Sequence, residues 1–192
     1  MRSRAWLIVF ACAAVLSAPC WAAKEKKTRL YRNEGSGGCA QAPANWNGPA
    51  EVANHPGGRF DAPGGDASIT FALSPNQARS IVLGQKDAGA QMAALDDFRA
   101  AIPNTWRSDH DVSDVKVMQE EAATLDGAAA LRIELTYKRA RAARRYEIVF
   151  ALANNEQYAV EYDAAKRSAK RYEDEFREAV NSFQFHCLAS GQ

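Results

Sequence analysis

Between Val115 and Tyr162 apolar side chains recur at every second position in four runs separated by turn residues, a period that only paired strands satisfy. Val115 and Val117 alternate toward Leu125, and Asp126-Gly127 is a tight-turn pair. Leu131, Ile133, Leu135 and Tyr137 then line one side of the next run, opposite Arg132, Glu134 and Thr136. A basic loop from Lys138 to Arg145 leads to Tyr146, Ile148, Phe150 and Leu152. Asn154-Asn155 turns the chain again, and Tyr158, Val160 and Tyr162 alternate on the last run. The pattern predicts an antiparallel meander with one apolar face.

The flanking segments supply the rest of a fold. Arg59 to Asp61 and Ala67 to Leu73 read as strands, the second with Ile69, Phe71 and Leu73 on one face, and a further strand is expected near Ser80 to Gly84. A helix is expected from Ala88 to Ala101 with Asp87 as its cap. Met92, Leu95, Phe98 and Ile102 form its buried stripe, and Pro103 ends it. The closing helix is expected to start at the cap Asp163 and run to Phe183, burying Ala169, Tyr172, Phe176, Val180 and Phe183. Lys170 with Asp174 and Arg171 with Glu175 would pair on its outer side. The fold class is therefore α+β: an antiparallel sheet of about six strands packed against two main helices.

The N-terminus carries an address. Arg2 and Arg4 precede an apolar run from Ala5 to Leu16, then small residues and Pro19 before the charged Lys24, the order of a secretory signal peptide over residues 1–23. The run is shorter than the ~20 residues a membrane span needs, which favours cleavage over the alternative of a retained N-terminal anchor. Neither Cys12 nor Cys20 fits a lipidation site, since Cys20 follows Pro19 and Cys12 would leave too short an apolar run. Residues 24–58, rich in Gly, Pro, Asn and Ala, read as an extended segment with Trp46 as an anchor, and 59–187 as a single α+β domain. Cleavage removes Cys12 and Cys20, leaving Cys39 and Cys187. In an oxidising compartment that pair is expected to form a disulfide, the alternatives being two free thiols or a metal pair.

The stretches RFDAPGGDASITFAL, DDFRAAIP, RRYEIVFALANNEQYAVEY and YEDEFREAVNSFQF, in that order, resemble the PsbP-like fold, which includes the DcrB-like envelope proteins. The resemblance spans roughly residues 59–185. It implies a sheet covered by helices, used as a non-enzymatic binding or assembly module, and it carries no residue-level site.

Chemistry-bearing residues are sparse. Asp109, His110, Asp111 and Asp114 bring three carboxylates and an imidazole close in sequence, but without the Gly and terminal Glu of a calcium loop. A solvated loop is the expectation, with a metal-dependent activity as the alternative. His55 and His186 belong to no zinc spacing. Glu120 and Glu121, adjacent on a strand, point to opposite faces. Gly64-Gly65 lies in a turn rather than in a phosphate cradle. No Gly-x-Ser-x-Gly elbow is present. These observations predict a protein that is not an enzyme and takes no cofactor. In a chain of formal net charge +1, the cations Lys138, Arg139, Arg141, Arg144 and Arg145 stand out as the candidate surface for an anionic partner. The expected function is a periplasmic or secreted binding or assembly protein touching an envelope protein or anionic surface, with no nucleic acid partner and no membrane span in the mature chain. The alternative is an inhibitor or immunity protein that neutralises a toxin or lytic enzyme.

Overall fold

Alternating burial along Leu131, Ile133, Leu135 and Tyr137 seeds one core, and the reverse face of the same sheet seeds another. The structure, a computed structural model, describes residues 27–33, 37–52, 55–74, 88–153 and 156–187. Outside them lie the expected signal peptide, the strand expected at Ser80 to Gly84, the cap Asp87, the turn Asn154-Asn155, and the side chains of His55 and Met92.

In chain order the elements are β1 (Thr28–Arg32), β2 (Cys39–Pro43), β3 (Asn47–Val52), β4 (His55–Asp61), β5 (Ala67–Ser74) and α1 (Ala88–Ser108). There follow β6 (Val112–Leu125), β7 (Ala128–Arg139), β8 (Ala142–Ala153), β9 (Glu156–Ala165), a 3-10 turn (Ala169–Tyr172) and α2 (Glu173–Asn181). The main sheet has seven strands in the order β3-β4-β5-β9-β8-β7-β6, and β1-β2 form a separate two-stranded sheet. All pairings are antiparallel. The α+β class is as expected, with a larger sheet than the six strands expected. The surplus comes from residues 24–58, where the low-periodicity segment read as extended in fact holds β1, β2 and β3. β3 is exposed along nearly its whole length and β1 alternates only between exposed and half-buried positions, so neither carries a strong apolar period.

The meander forms as expected from β6 to β9, but it is apolar on both sides. On one face Leu131, Ile133, Leu135, Ile148 and Phe150 pack under α1; on the other Val149, Ala151, Val160 and Tyr162 pack under the 3-10 turn and α2. The long buried run from Tyr146 to Leu152 follows from this two-sided coverage.

Helix α1 does not stop at Pro103. It loses one backbone hydrogen bond there, yet continues to Ser108 because the apolar stripe extends to Trp106. The Trp106 ring packs on Tyr137 and Tyr146 at 4.5 and 4.7 Å between centroids, with the Arg139 guanidinium 5.3 Å from it. The closing helix also differs from expectation. Asp163 is a strand residue paired with Arg144 at 2.9 Å, not a cap, and the helical turns begin only after β9 ends at Ala165. Ala169, Tyr172, Phe176 and Phe183 are buried as the stripe predicts.

Strand β2 and the C-terminal segment are tied together. Cys39 and Cys187 form a disulfide with 5.5 Å between Cα atoms. Around it Cys39 and Gln184 exchange backbone hydrogen bonds of 2.9 and 2.8 Å, and the Cys187 N–H donates to the Gly37 carbonyl at 2.9 Å. Trp46 is buried edge-on against Tyr172, as an anchor should be. Tyr31 lies over Gly58, where an added Cβ would sit 2.5 Å from its ring, and stacks on Phe71. Among the described residues, no helix is long and apolar enough to cross a membrane.

Candidate binding surface

The five cations expected to make one basic loop are divided by the strand geometry. β7 reaches Arg139 and β8 begins at Ala142, so the connection is only Ala140-Arg141, both at positive φ (48° and 70°). That is the twist a two-residue hairpin needs. The other four cations lie on the strands and have acidic neighbours. Lys138 pairs with Asp114 at 2.7 Å and Arg139 with Asp109 at 2.8 Å. Arg144 pairs with Asp163, while Arg145 reaches Glu134, Glu147 and Glu173 on the opposite face. Only Arg141 projects without an ion pair to a described residue.

The acidic loop is similarly committed. Oxygens of Asp109 and Asp111 and a ring nitrogen of His110 come within 4.8 Å of one another, and Asp114 is drawn away to Lys138. The Asp109 carboxylate accepts the Asp111 N–H at 3.0 Å, and that bond, with the Arg139 charge, holds its pKa below the usual range. The same bonds occupy the oxygens a cation would need. Glu120 and Glu121 point to opposite faces as expected, toward Arg99 and Arg132 respectively. Gly64-Gly65 forms the β4–β5 turn, with Gly65 at φ +66°. His186 follows the segment that Gln184 pairs to Cys39, beside the disulfide.

A groove of about 400 Å³ lies between β6 and α2, floored by Arg132, Glu147 and Val149 and walled by Phe176 and Val180. Register builds it: Glu121 stands opposite Arg132 on β7, one strand from Glu147 on β8. The Arg132 Nε donates to Glu147 at 2.6 Å and its Nη1 to Glu121 at 3.1 Å. Glu147 is wholly buried, and desolvation pushes its carboxyl up although Arg132 and Arg145 pull it back. Every carboxylate lining this groove is paired with a guanidinium. The signal for it is visible in the sequence only as charges at alternate positions on three successive strands, and Glu147 is hidden among apolar neighbours.

The α1 face holds a second polar group. Tyr146 donates to Glu161, whose carboxyl is pushed up by burial, and Asp163 lies near the buried Tyr137 hydroxyl, raising that phenol further.

The sheet order, the helix on each face and the closing C-terminal segment place the chain in the class of α+β proteins with the PsbP-like fold. Among solved structures it is similar to the cyanobacterial PsbP protein CyanoP from Synechocystis sp. PCC 6803, with a TM-score of 0.56 at 14% identity over 88% of this chain and 98% of that one. LpqN of Mycobacterium tuberculosis gives 0.54 at 15%, covering 82% of this chain and 90% of that one. Protein PA94 of Pseudomonas aeruginosa gives 0.50 at 14%, covering 86% and 99%. These likenesses carry the fold, not the narrower DcrB-like resemblance. No protein-family model and no curated protein sequence matches the chain.

Proposed function

We propose that this chain is an exported, non-enzymatic binding or assembly protein of the cell envelope, acting by contact with an envelope partner rather than by turnover. The observation that carries this reading is the Cys39–Cys187 disulfide set in a PsbP-like fold. A bridge closing 148 residues belongs to an oxidising compartment, which agrees with the signal-like residues 1–23. LpqN, one of the structures that share the fold, is described as involved in cell envelope biogenesis. In such a compartment the partner of the basic hairpin is an envelope component rather than nucleic acid. Arg141 at the hairpin tip is the member of the expected basic set placed to meet it.

Export is tested by expressing the full chain and determining the location, mass and thiol content of the product. The expected result is an envelope-fraction protein lacking residues 1–23 with no titratable thiol. A cytoplasmic chain retaining those residues would overturn the reading. Contact is tested by photo-crosslinking from position 141 in intact cells. The expected product joins this chain to another envelope component, and its absence at position 141 with its presence at Thr28 would move the surface elsewhere.

A further inference from the structure

Two basic segments separated in sequence meet at one end of the main sheet. The Lys166 N–H donates to the Ala143 carbonyl at 2.9 Å, and Arg144 stands opposite Ala165 in the β8–β9 register. The segment leaving β9 therefore lies against the base of the hairpin whose tip is Arg141. That segment reads Lys166-Arg167-Ser168-Ala169-Lys170-Arg171, four cations in six residues.

The local structure turns these cations outward. Ala169 and Tyr172 are buried three residues apart in a 3-10 turn, whose period places Lys170 and Arg171 on the solvent side. The expected pairs on a continuous helix, Lys170 with Asp174 and Arg171 with Glu175, give way to others. Arg177 takes Glu173 at 3.0 Å and Asp174 at 3.7 Å. Arg141, Lys166, Arg167, Lys170 and Arg171 are all exposed, and none makes an ion pair within 4 Å with a described residue, although Arg171 lies over the Tyr172 ring at 5.1 Å. The neighbouring acids have other partners: Asp163 has Arg144, Glu173 has Arg145 and Arg177, and Asp111, which lines the hollow beside Arg141, faces His110, while Asp66 bonds Ser168 and Tyr172 and also feels the Arg171 charge.

We infer that this end of the sheet, formed by Arg141, Lys166, Arg167, Lys170 and Arg171, is a docking surface for an anionic lipid leaflet. Tight protein interfaces centre on a few anchors, most often Trp, Tyr or Arg, that are desolvated in well-packed pockets. Around these cations the exposed residues are small, Ala140, Ala142 and Ala143, and the exposed large apolar residues of the described chain, Leu30 and Met118, lie elsewhere. Cations on flexible stems without anchors suit a dense, mobile layer of phosphate headgroups. The inference rests on the proposed envelope location and names the partner's chemistry.

The test is flotation of the mature exported protein with vesicles of phosphatidylglycerol and phosphatidylcholine in equal parts, against phosphatidylcholine alone. The mixed vesicles are expected to bind it, the neutral ones not, with binding lost as salt rises. Each Lys or Arg near the surface is worth about 1 kcal/mol, so Arg141→Ser alone should weaken partitioning roughly fivefold. The five-fold Ser variant should abolish it with an unchanged circular dichroism spectrum, and Arg32→Ser, beside Cys39 at the opposite end, should bind like wild type. Equal binding of the five-fold variant or of neutral vesicles overturns the inference. So does displacement by inorganic phosphate beyond that by chloride of matched ionic strength, which marks a discrete phosphate site. No vesicle binding, with capture of an acidic protein through the same residues, also overturns it while leaving the envelope reading intact. A chain that is not exported overturns that reading whatever the vesicles show.

Discussion

Arg132 bonds Glu147 across the β7–β8 pair, and Glu147 has no solvent exposure. Removing Arg132 leaves the buried Glu147 with Arg145 as its remaining guanidinium partner. Arg132→Met is expected to cost about 1–3 kcal/mol in urea unfolding, the range for losing a charged hydrogen-bond partner of a buried group. The double substitution Arg132→Met with Glu147→Leu should recover most of that loss, because Arg145 keeps Glu134 as a partner. A double variant no more stable than the single one would show that the ions themselves hold the groove.

Reduction of Cys39–Cys187, or Cys39→Ser with Cys187→Ser, releases a loop of 148 residues. In the chain-entropy account the loss is about 5 kcal/mol. Denaturation midpoints with and without reductant measure it, and the Ser variants should be insensitive to reductant.

The hairpin tip places Ala140 and Arg141 in a left-handed conformation that suits Asn and Gly. Ala140→Asn with Arg141→Gly should raise stability by about 1–2 kcal/mol. The same variant loses the tip cation and should partition less onto anionic vesicles. Stability and binding moving in opposite directions would mark Arg141 as retained for contact rather than for folding.

Burial pushes the phenols of Tyr31, Tyr137, Tyr146, Tyr162 and Tyr172 above their ordinary value. The native state thus prefers the neutral phenol more than the unfolded state does. Its stabilising share is complete below pH about 10 and is lost as pH rises through the higher native values. Alkaline titration should show most phenolate absorbance appearing together with loss of tertiary structure. Independent ionisation of these five tyrosines near pH 10 in an intact fold would contradict this.

Much of the architecture was legible wherever burial imposed a regular period. Leu131 to Tyr137 and Tyr158 to Tyr162 announced their strands, and Leu95, Phe98 and Ile102 their helix. Pro103 was a misleading stop, because the local cost of a proline is outweighed by Trp106 packing on Tyr137 and Tyr146. Strand β2 left no signature, since Gln41 and Cys39 find partners in Ser182 and Gln184, near the other end of the chain.

The candidate surface was legible only in half. Arg141 was visible as a charge, but its company was not. Lys138, Arg139, Arg144 and Arg145 are neighbours in sequence that strand geometry sends to separate carboxylates. Lys166 to Arg171 are distant in sequence and are brought beside the hairpin by the β8–β9 register.

The junction of Cys39 with Cys187 also determines how the molecule bears a mechanical load. A pull applied at those two positions runs through a covalent link and the short Cys39–Gln184 bridge, bypassing the seven-stranded sheet. While that link holds, tension at those positions would leave β3 to β9, which lie inside the closed loop, unstretched; β1 precedes Cys39 and lies outside it. Once the link is reduced, the same force would pass through β2 and on into the main sheet.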